Sequence, residues 1–142
     1  MRILLMTAAM LLCAGCNCLP DGEPPEKPEI VEIATVKNHS PLGATNLLST
    51  SLTVGAINCL NSRTTVTLIS EAEMPFRAYA AEVMASVQRT LGFKTGVSES
   101  DFILNAVFKP LGNGVFNWEM SLNRNGENIW SESVIMDTKK PN

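Results

Sequence analysis

The side chains best suited to acid–base chemistry are one histidine and a pair of closely spaced carboxylates. His39 is the single histidine of the chain, and Glu71 and Glu73 follow a β-branched run. Two carboxylates can serve as general acid and general base. An acidic pair ahead of a helix is also what the helix dipole favours, and no nucleophile motif accompanies His39, which we place in a turn. We therefore predict no catalytic residues and expect that the protein is not an enzyme.

Metal and ligand chemistry has equally little support. No paired-cysteine or paired-histidine spacing of a metal site occurs, so we expect no metal and no cofactor. Trp118 and Trp130 could form a platform for a sugar ring or for another protein. Aromatic residues on neighbouring strands more often pack against each other and the core, and we assign both tryptophans to packing.

The N-terminus predicts export and lipid attachment. Arg2 precedes an apolar run that ends in Ala14-Gly15-Cys16, which is the layout of a secretory signal. The run, about ten residues long, is too short to cross a hydrocarbon core of roughly 30 Å. Its end resembles the lipobox of bacterial lipoproteins, whose cysteine is acylated with fatty acids such as palmitate. We predict residues 1–15 as the signal peptide and Cys16 as the lipidation site; the alternative is an ordinary signal cut near Gly15.

Residues 16–29 are predicted to tether a single folded domain, residues 30–142, to the membrane. Prolines alternate with charged residues in this stretch, and proline favours extended chain. By resemblance to sorting in Gram-negative envelopes, Asn17 after the lipidated cysteine favours the outer membrane, with the domain on its periplasmic face. Cys18 and Cys59 could pair in an oxidising periplasm or remain free.

Composition sets the remaining limits. The chain has 142 residues, is 45% hydrophobic and carries a formal net charge of -3. This length suffices for one hydrophobic core. No basic block occurs, so the electrostatic footprint of a nucleic-acid-binding protein is absent.

Hydrophobic periodicity predicts two helices. Residues 44–60 carry apolar side chains at helical spacing, with Thr45 or Asn46 as the N-terminal cap. Residues 76–91 show a clearer apolar stripe. Gly92 stands where a left-handed C-terminal cap belongs.

Alternating and β-branched runs predict five strands, at residues 30–38, 64–70, 101–109, 115–123 and 128–136. The fourth alternates most cleanly, which indicates a half-buried antiparallel strand. Its residues expected to be buried are Phe116, Trp118 and Met120, and those expected to be largely exposed are Asn117, Glu119 and Ser121. Asn125-Gly126 predicts the hairpin turn that follows.

The predicted order is therefore β-α-β-α-β-β-β. Helices on one face of a mixed sheet are the natural packing for this order. The fold class is α+β: a mixed β-sheet with two helices packed on one face, ending in an antiparallel meander.

Several of these segments resemble the LpoB-like outer-membrane lipoproteins, which activate bifunctional penicillin-binding proteins. They are the end of the first strand at Val36-Lys37-Asn38, the strands around residues 100–104 and 118–122, and the hairpin Asn125-Gly126-Glu127 leading into Ile129-Trp130. The resemblance covers most of residues 30–136. A related fold occurs in the N-terminal domain of TolB-like proteins and in curli-secretion lipoproteins.

The leading hypothesis is a membrane-tethered, non-catalytic protein-interaction module of the bacterial cell envelope. Its sharpest form is regulation of peptidoglycan synthesis through a periplasmic partner such as a penicillin-binding protein, with no nucleic acid involved. A structural subunit of an assembly or secretion complex, or a wall-acting enzyme, are the alternatives. The contact surface is expected at the polar sheet edge or on the second helix, around Ala78, Ala81, Glu82 and Ala85.

Overall fold

The computed structural model describes residues 36–97 and 100–142. The predicted signal peptide, lipidation site and tether lie outside the described residues. The elements in chain order are β1 (Asn38–His39), α1 (Pro41–Ala56), β2 (Thr65–Glu71), α2 (Phe76–Leu91), β3 (Lys94–Thr95), β4 (Phe102–Gly112), β5 (Val115–Arg124) and β6 (Glu127–Asp137).

The strands form one mixed sheet in the order β1-β6-β5-β4-β2-β3. β4, β5 and β6 are joined as an antiparallel meander, while β1 lies parallel to β6, and β2 lies parallel to both β3 and β4. The predicted α+β class, with two helices and a terminal meander, is confirmed. The two-residue strand β3 was not predicted, because so short an element leaves no periodic signal.

The end of the first strand differs from the prediction. Val36 and Lys37 precede it outside any strand, and only Asn38 and His39 pair with β6. The expectation that His39 lies in a turn is therefore wrong. Val36 leaves 70% of its surface exposed, so pairing there would bury little apolar area; residues 30–35 lie outside the described residues.

α1 begins earlier than predicted. Its cap is Ser40, whose Oγ accepts a hydrogen bond from the Gly43 backbone N–H at 3.1 Å, and Pro41 opens the first turn. Proline is favoured at this position because its missing donor has no helical partner there. The expected caps are wrong: Thr45 lies inside the helix and donates its hydroxyl to the Pro41 carbonyl at 2.7 Å, and Asn46 is on the exposed side.

α2 matches the prediction at both ends. It spans Phe76–Leu91, and Gly92 adopts the left-handed conformation (φ 78°) with its N–H donating to the Gln88 carbonyl at 2.7 Å. A φ in this region costs glycine little. The buried positions of the helix form the predicted stripe: Ala80, Val83, Met84 and Val87.

The core lies between the two helices and one face of the sheet. Alternate residues of β4 and β5 point into it, and Trp118 is 0% exposed, with its ring stacked on Phe108 at a centroid distance of 4.8 Å. Met120 is buried as predicted, whereas Phe116 is half-buried near the start of β5, 4.4 Å from the Phe76 ring. The register predicted for β5 is thus correct, and the side chains on its opposite side lie outside the core.

Candidate partner-binding surfaces

The sheet carries a polar face on the side away from the helices. The alternation that buries Ala106, Met120 and Val134 turns the intervening side chains outward, and the core formed with α1 and α2 includes none of the latter. We call its centre the open face, defined by Asn105, Val107, Glu119, Ser121, Ser131 and Ser133. The register places these six in two rows across β4, β5 and β6.

The polar side chains of β5 are less exposed than the sequence suggested. Asn117, Glu119 and Ser121 are half-buried, not largely exposed. β5 is a central strand, so each of them has neighbours on both sides at the strand spacing of about 4.8 Å. Solvent exposure predicted from a single strand misses this shielding, which depends on the order of strands in the sheet.

A chain of hydrogen bonds links three strands on this side of the sheet. The Lys109 ammonium group donates to Glu119 Oε2, Asn117 Nδ2 donates to Glu119 Oε1, and the Ser133 hydroxyl donates to Asn117 Oδ1, each at 2.7 Å. The Lys109 and Glu119 side chains are 58% and 38% exposed, so this pair contributes about 0.2–1 kcal/mol to stability. Its main effect is to hold the Glu119 and Asn117 side chains in one arrangement.

Beside this chain lies a shallow groove of about 450 Å³. Val107 provides apolar surface in it, while Asn105, Ser121 and Ser131 add amide and hydroxyl groups. Within the described ranges these three polar side chains make no hydrogen bond to the protein. Their donors and acceptors are therefore available to a partner, and burying them would require that the partner complete their hydrogen bonds.

The outer edge of β6 meets α1 through a second polar contact. The Ser51 hydroxyl donates to Glu132 Oε2 at 2.9 Å and accepts from Trp130 Nε1 at 3.2 Å. Trp130 packs over Gly55, where any Cβ would collide with the indole ring. Trp130 is thus half-buried in an inter-element contact, in keeping with the packing role assigned from sequence.

The helix surface expected to bind a partner is available on α2. Ala78, Ala81 and Glu82 are exposed and Ala85 is half-buried, and the spacing of the four places them on one side of the helix. Glu82 has no ionic partner among the residues that the structure describes. Their role in binding stays a prediction.

The candidate acid–base residues do not converge. His39 lies in β1 and Glu71 at the end of β2, and three strands separate these two in the sheet. Glu73 is exposed ahead of α2. Cys59 is half-buried against the core and has no disulfide partner among the described residues; its possible pairing with Cys18, which lies outside them, stays a prediction. In the two described ranges no three histidine, cysteine or carboxylate side chains gather as metal ligands would.

One further property concerns the membrane. None of the helices in the part of the chain described here is long and apolar enough to span a bilayer.

No protein-family model and no curated protein sequence matches this chain. Among solved structures it is similar to the LpoB C-terminal domain from Salmonella enterica, with 9% identity, a TM-score of 0.47, and coverage of 64% of this chain and 93% of that domain. The Escherichia coli LpoB C-terminal domain gives 10% identity, a TM-score of 0.45 and the same coverages. A PelC dodecamer from Paraburkholderia phytofirmans gives 14% identity, a TM-score of 0.37, and coverage of 58% of this chain and 76% of that chain.

LpoB C-terminal domains, which the sequence motifs predicted, are thus among the solved structures similar to this chain. No site residue is transferred from them. Sequence reasoning had missed the hydrogen-bonded chain around Glu119. Its signal was present in the alternating polar residues of β5, but which strands flank β5 follows only from the topology.

Proposed function

We propose that this chain is a non-catalytic, lipid-anchored protein-interaction module of the bacterial cell envelope that regulates a peptidoglycan synthase. The observation that carries the proposal is the open face. One side of the sheet is sealed by helices, and the other presents prearranged amide, hydroxyl and carboxylate groups beside a groove. Polar groups that are held in place before a partner arrives reduce the ordering cost of binding it.

The distribution of titratable groups supports binding over catalysis. General acid–base chemistry requires groups within hydrogen-bonding reach of a common proton. His39 and Glu71 sit on strands with three others between them, and the Glu119 carboxylate is already engaged through both oxygens. Glu119 therefore serves to hold Asn117 and Lys109 in place.

The choice of partner class rests on the sequence. The lipobox-like Ala14-Gly15-Cys16 supports lipid anchoring, Asn17 favours the periplasmic face of the outer membrane, and the LpoB-like motifs point to a penicillin-binding protein. A short tether confines the domain, and effective concentrations for short flexible linkers are of millimolar order. A modest intrinsic affinity is then sufficient for regulation at the membrane.

The proposal is tested by capture from solubilised envelopes. The full chain, immobilised through an affinity tag at its C-terminus, is expected to retain a bifunctional penicillin-binding protein and to raise its glycan polymerisation or cross-linking rate. Purified wall fragments incubated with the chain alone should remain intact. Hydrolysis of those fragments that is lost in Glu71→Gln or Glu73→Gln would overturn the non-enzymatic assignment, and failure to retain or stimulate any synthase would overturn the regulatory one.

A further inference from the structure

A second cleft, of about 410 Å³, opens where β2 and β4 begin and β5 ends. It shares no lining residue with the groove of the open face. Its wall is mainly polar and includes two arginines. The lining residues that matter for its chemistry are Asn61, Arg63, Thr65, Asp101, Phe102 and Arg124.

The charge of this cleft is opposite to that of the protein. The whole chain has a net charge of -3, whereas the described lining residues of this cleft include two guanidinium groups, Arg63 and Arg124, and one carboxylate, Asp101, which leaves +1 among them. Neither guanidinium donates a hydrogen bond to a protein group in the described ranges, and none of the carboxylates described there lies within 4.0 Å of either. Among the described residues, therefore, no acceptor competes with solvent or a ligand for the five N–H donors of either guanidinium group.

The backbone and packing hold both arginines at the cleft. Arg124 Cζ lies 5.3 Å from the centroid of the Phe102 ring, and Phe102 is buried. A guanidinium stacked on an aromatic face keeps its donor edge free. Arg63 sits in a closed turn in which its backbone N–H donates to Asn61 Oδ1 at 2.9 Å and the Thr64 N–H donates to the Asn61 carbonyl at 2.9 Å.

We propose that the Arg63–Arg124 cleft binds a singly charged oxyanion, either a carboxylate or a phosphodiester. The planar guanidinium fork matches the paired oxygens of both groups and bonds them bidentately. The Thr65 hydroxyl makes no hydrogen bond within the described part of the chain and supplies a further donor. Asp101 offsets one of the two guanidinium charges, so the remaining +1 of the described lining residues matches a singly charged anion better than a more highly charged one. The inference is independent of the proposed function.

The test is an NMR titration of the isotope-labelled full chain in detergent, with chloride replaced to hold the ionic strength constant. Sodium acetate and sodium dimethyl phosphate are the two probes, which separate a carboxylate source from a phosphodiester source. We expect saturable shifts of the Arg63 and Arg124 Nε–H signals with at least one probe. Shifts that grow linearly with both, or that chloride reproduces, would overturn the proposal.

Variants then assign the binding to the two side chains. Arg63→Ala is expected to weaken the apparent affinity by about tenfold or more, since a charge-assisted hydrogen bond is lost. Arg124→Lys keeps the positive charge but loses the planar guanidinium group, and should also weaken the apparent affinity. Arg89→Ala, an exposed arginine in the last turn of α2, is the matched control and should bind as the parent does. Equal affinity of Arg63→Ala and Arg89→Ala would contradict the site; Arg63 is exposed, so its variant should fold even where Arg124 variants do not.

Discussion

At the residue scale, Gly55 shows how a missing side chain lets two elements meet. It lies near the end of α1, where sequence reasoning sees only a weak helix former, and the Trp130 indole of β6 occupies the space its Cβ would take. The same ring donates to Ser51. A glycine is thus needed at position 55 because Trp130, a residue distant in sequence, packs where a side chain would be.

We predict that Gly55→Ala destabilises the domain by about 1–3 kcal/mol, the usual cost of inserting a methyl group into filled space. Helix propensity alone predicts the opposite, a gain of up to about 1 kcal/mol. Chemical denaturation measures the free energy of unfolding of the variant and the parent, and so the sign of the change. In a Trp130→Ala background the clash is gone, so there the same substitution should be neutral or stabilising; a loss of equal size in both backgrounds would refute the contact.

Residue-level burial was predictable only in part. The alternation of β5 correctly placed Trp118 and Met120 in the core, because a period of two is a property of the strand itself. The half-buried state of Asn117 and Glu119 was missed, because it depends on the strands on either side. Of the two hydrogen-bond partners of Glu119, Asn117 lies two residues away on the same face of β5, whereas Lys109 lies on β4 and could not be assigned from the β5 sequence alone.

At the element scale, the local sequence signals for the helix ends agree with one another in α2 but not in α1. In α2 the apolar stripe and Gly92 point to the same boundaries, and the prediction is correct. In α1 the predicted apolar pattern begins after the true start, since the first turn opens with Pro41 and includes Gly43, two residues that the periodicity does not count as helical, and it leaves Leu42 exposed. Cap chemistry, in this case, locates the helix start better than periodicity does.

We expect Ser40→Ala to lower the free energy of unfolding by about 0.5–2 kcal/mol, because the Gly43 N–H loses its acceptor. Thr50→Ala is the matched control within the same helix, since that exposed hydroxyl bonds only to the Asn46 carbonyl of the preceding turn, and should change stability by less than about 0.5 kcal/mol. Thermal unfolding followed by circular dichroism compares the two. If both variants unfold like the parent, Ser40 does not cap α1.

The two-residue strands mark the limit of element prediction. β1 and β3 each pair with a single neighbour over two residues, and their positions are set by long-range contacts. β1 adds to β6, an element at the other end of the chain. No window of sequence around Asn38 contains that partner, which explains why the prediction included residues 36 and 37 and left out His39.

At the scale of the whole molecule, the proposed function joins an anchor, a tether and a domain. We predict that Cys16→Ser abolishes incorporation of a fatty-acid analogue and releases the protein from membranes, since acyl chains contribute about 0.8 kcal/mol per buried methylene. Metabolic labelling and membrane fractionation measure both effects. Cys59→Ser should retain label and anchor; label that persists after Cys16→Ser would place the lipid elsewhere.

The open face and the exposed side of α2 are the two candidate partner-binding surfaces. A bulky substitution on each surface, followed by a binding measurement, can decide between them. Ser121 lies at the centre of the open face, half-buried between Asn105 and Ser131 in the register. Ser121→Trp should fill the groove without unfolding the sheet, because an aromatic side chain suits an outward strand position. We expect it to weaken capture of the synthase by about tenfold or more, since the open-face groups could then no longer complete their hydrogen bonds with the partner.

Ala81→Trp combined with Glu82→Lys makes the equivalent change on α2, and Thr50→Trp on the exposed side of α1 controls for added bulk alone. Binding to the immobilised synthase, measured beside the thermal midpoint of each variant, separates lost contact from lost fold. If only Ser121→Trp loses affinity for the synthase, the open face is the binding surface. If only the α2 variant loses affinity, the binding surface is on the helix. A site that spans both would require the partner to wrap around the domain, so equal losses in both variants, with the Thr50 control intact, would contradict a single contact face.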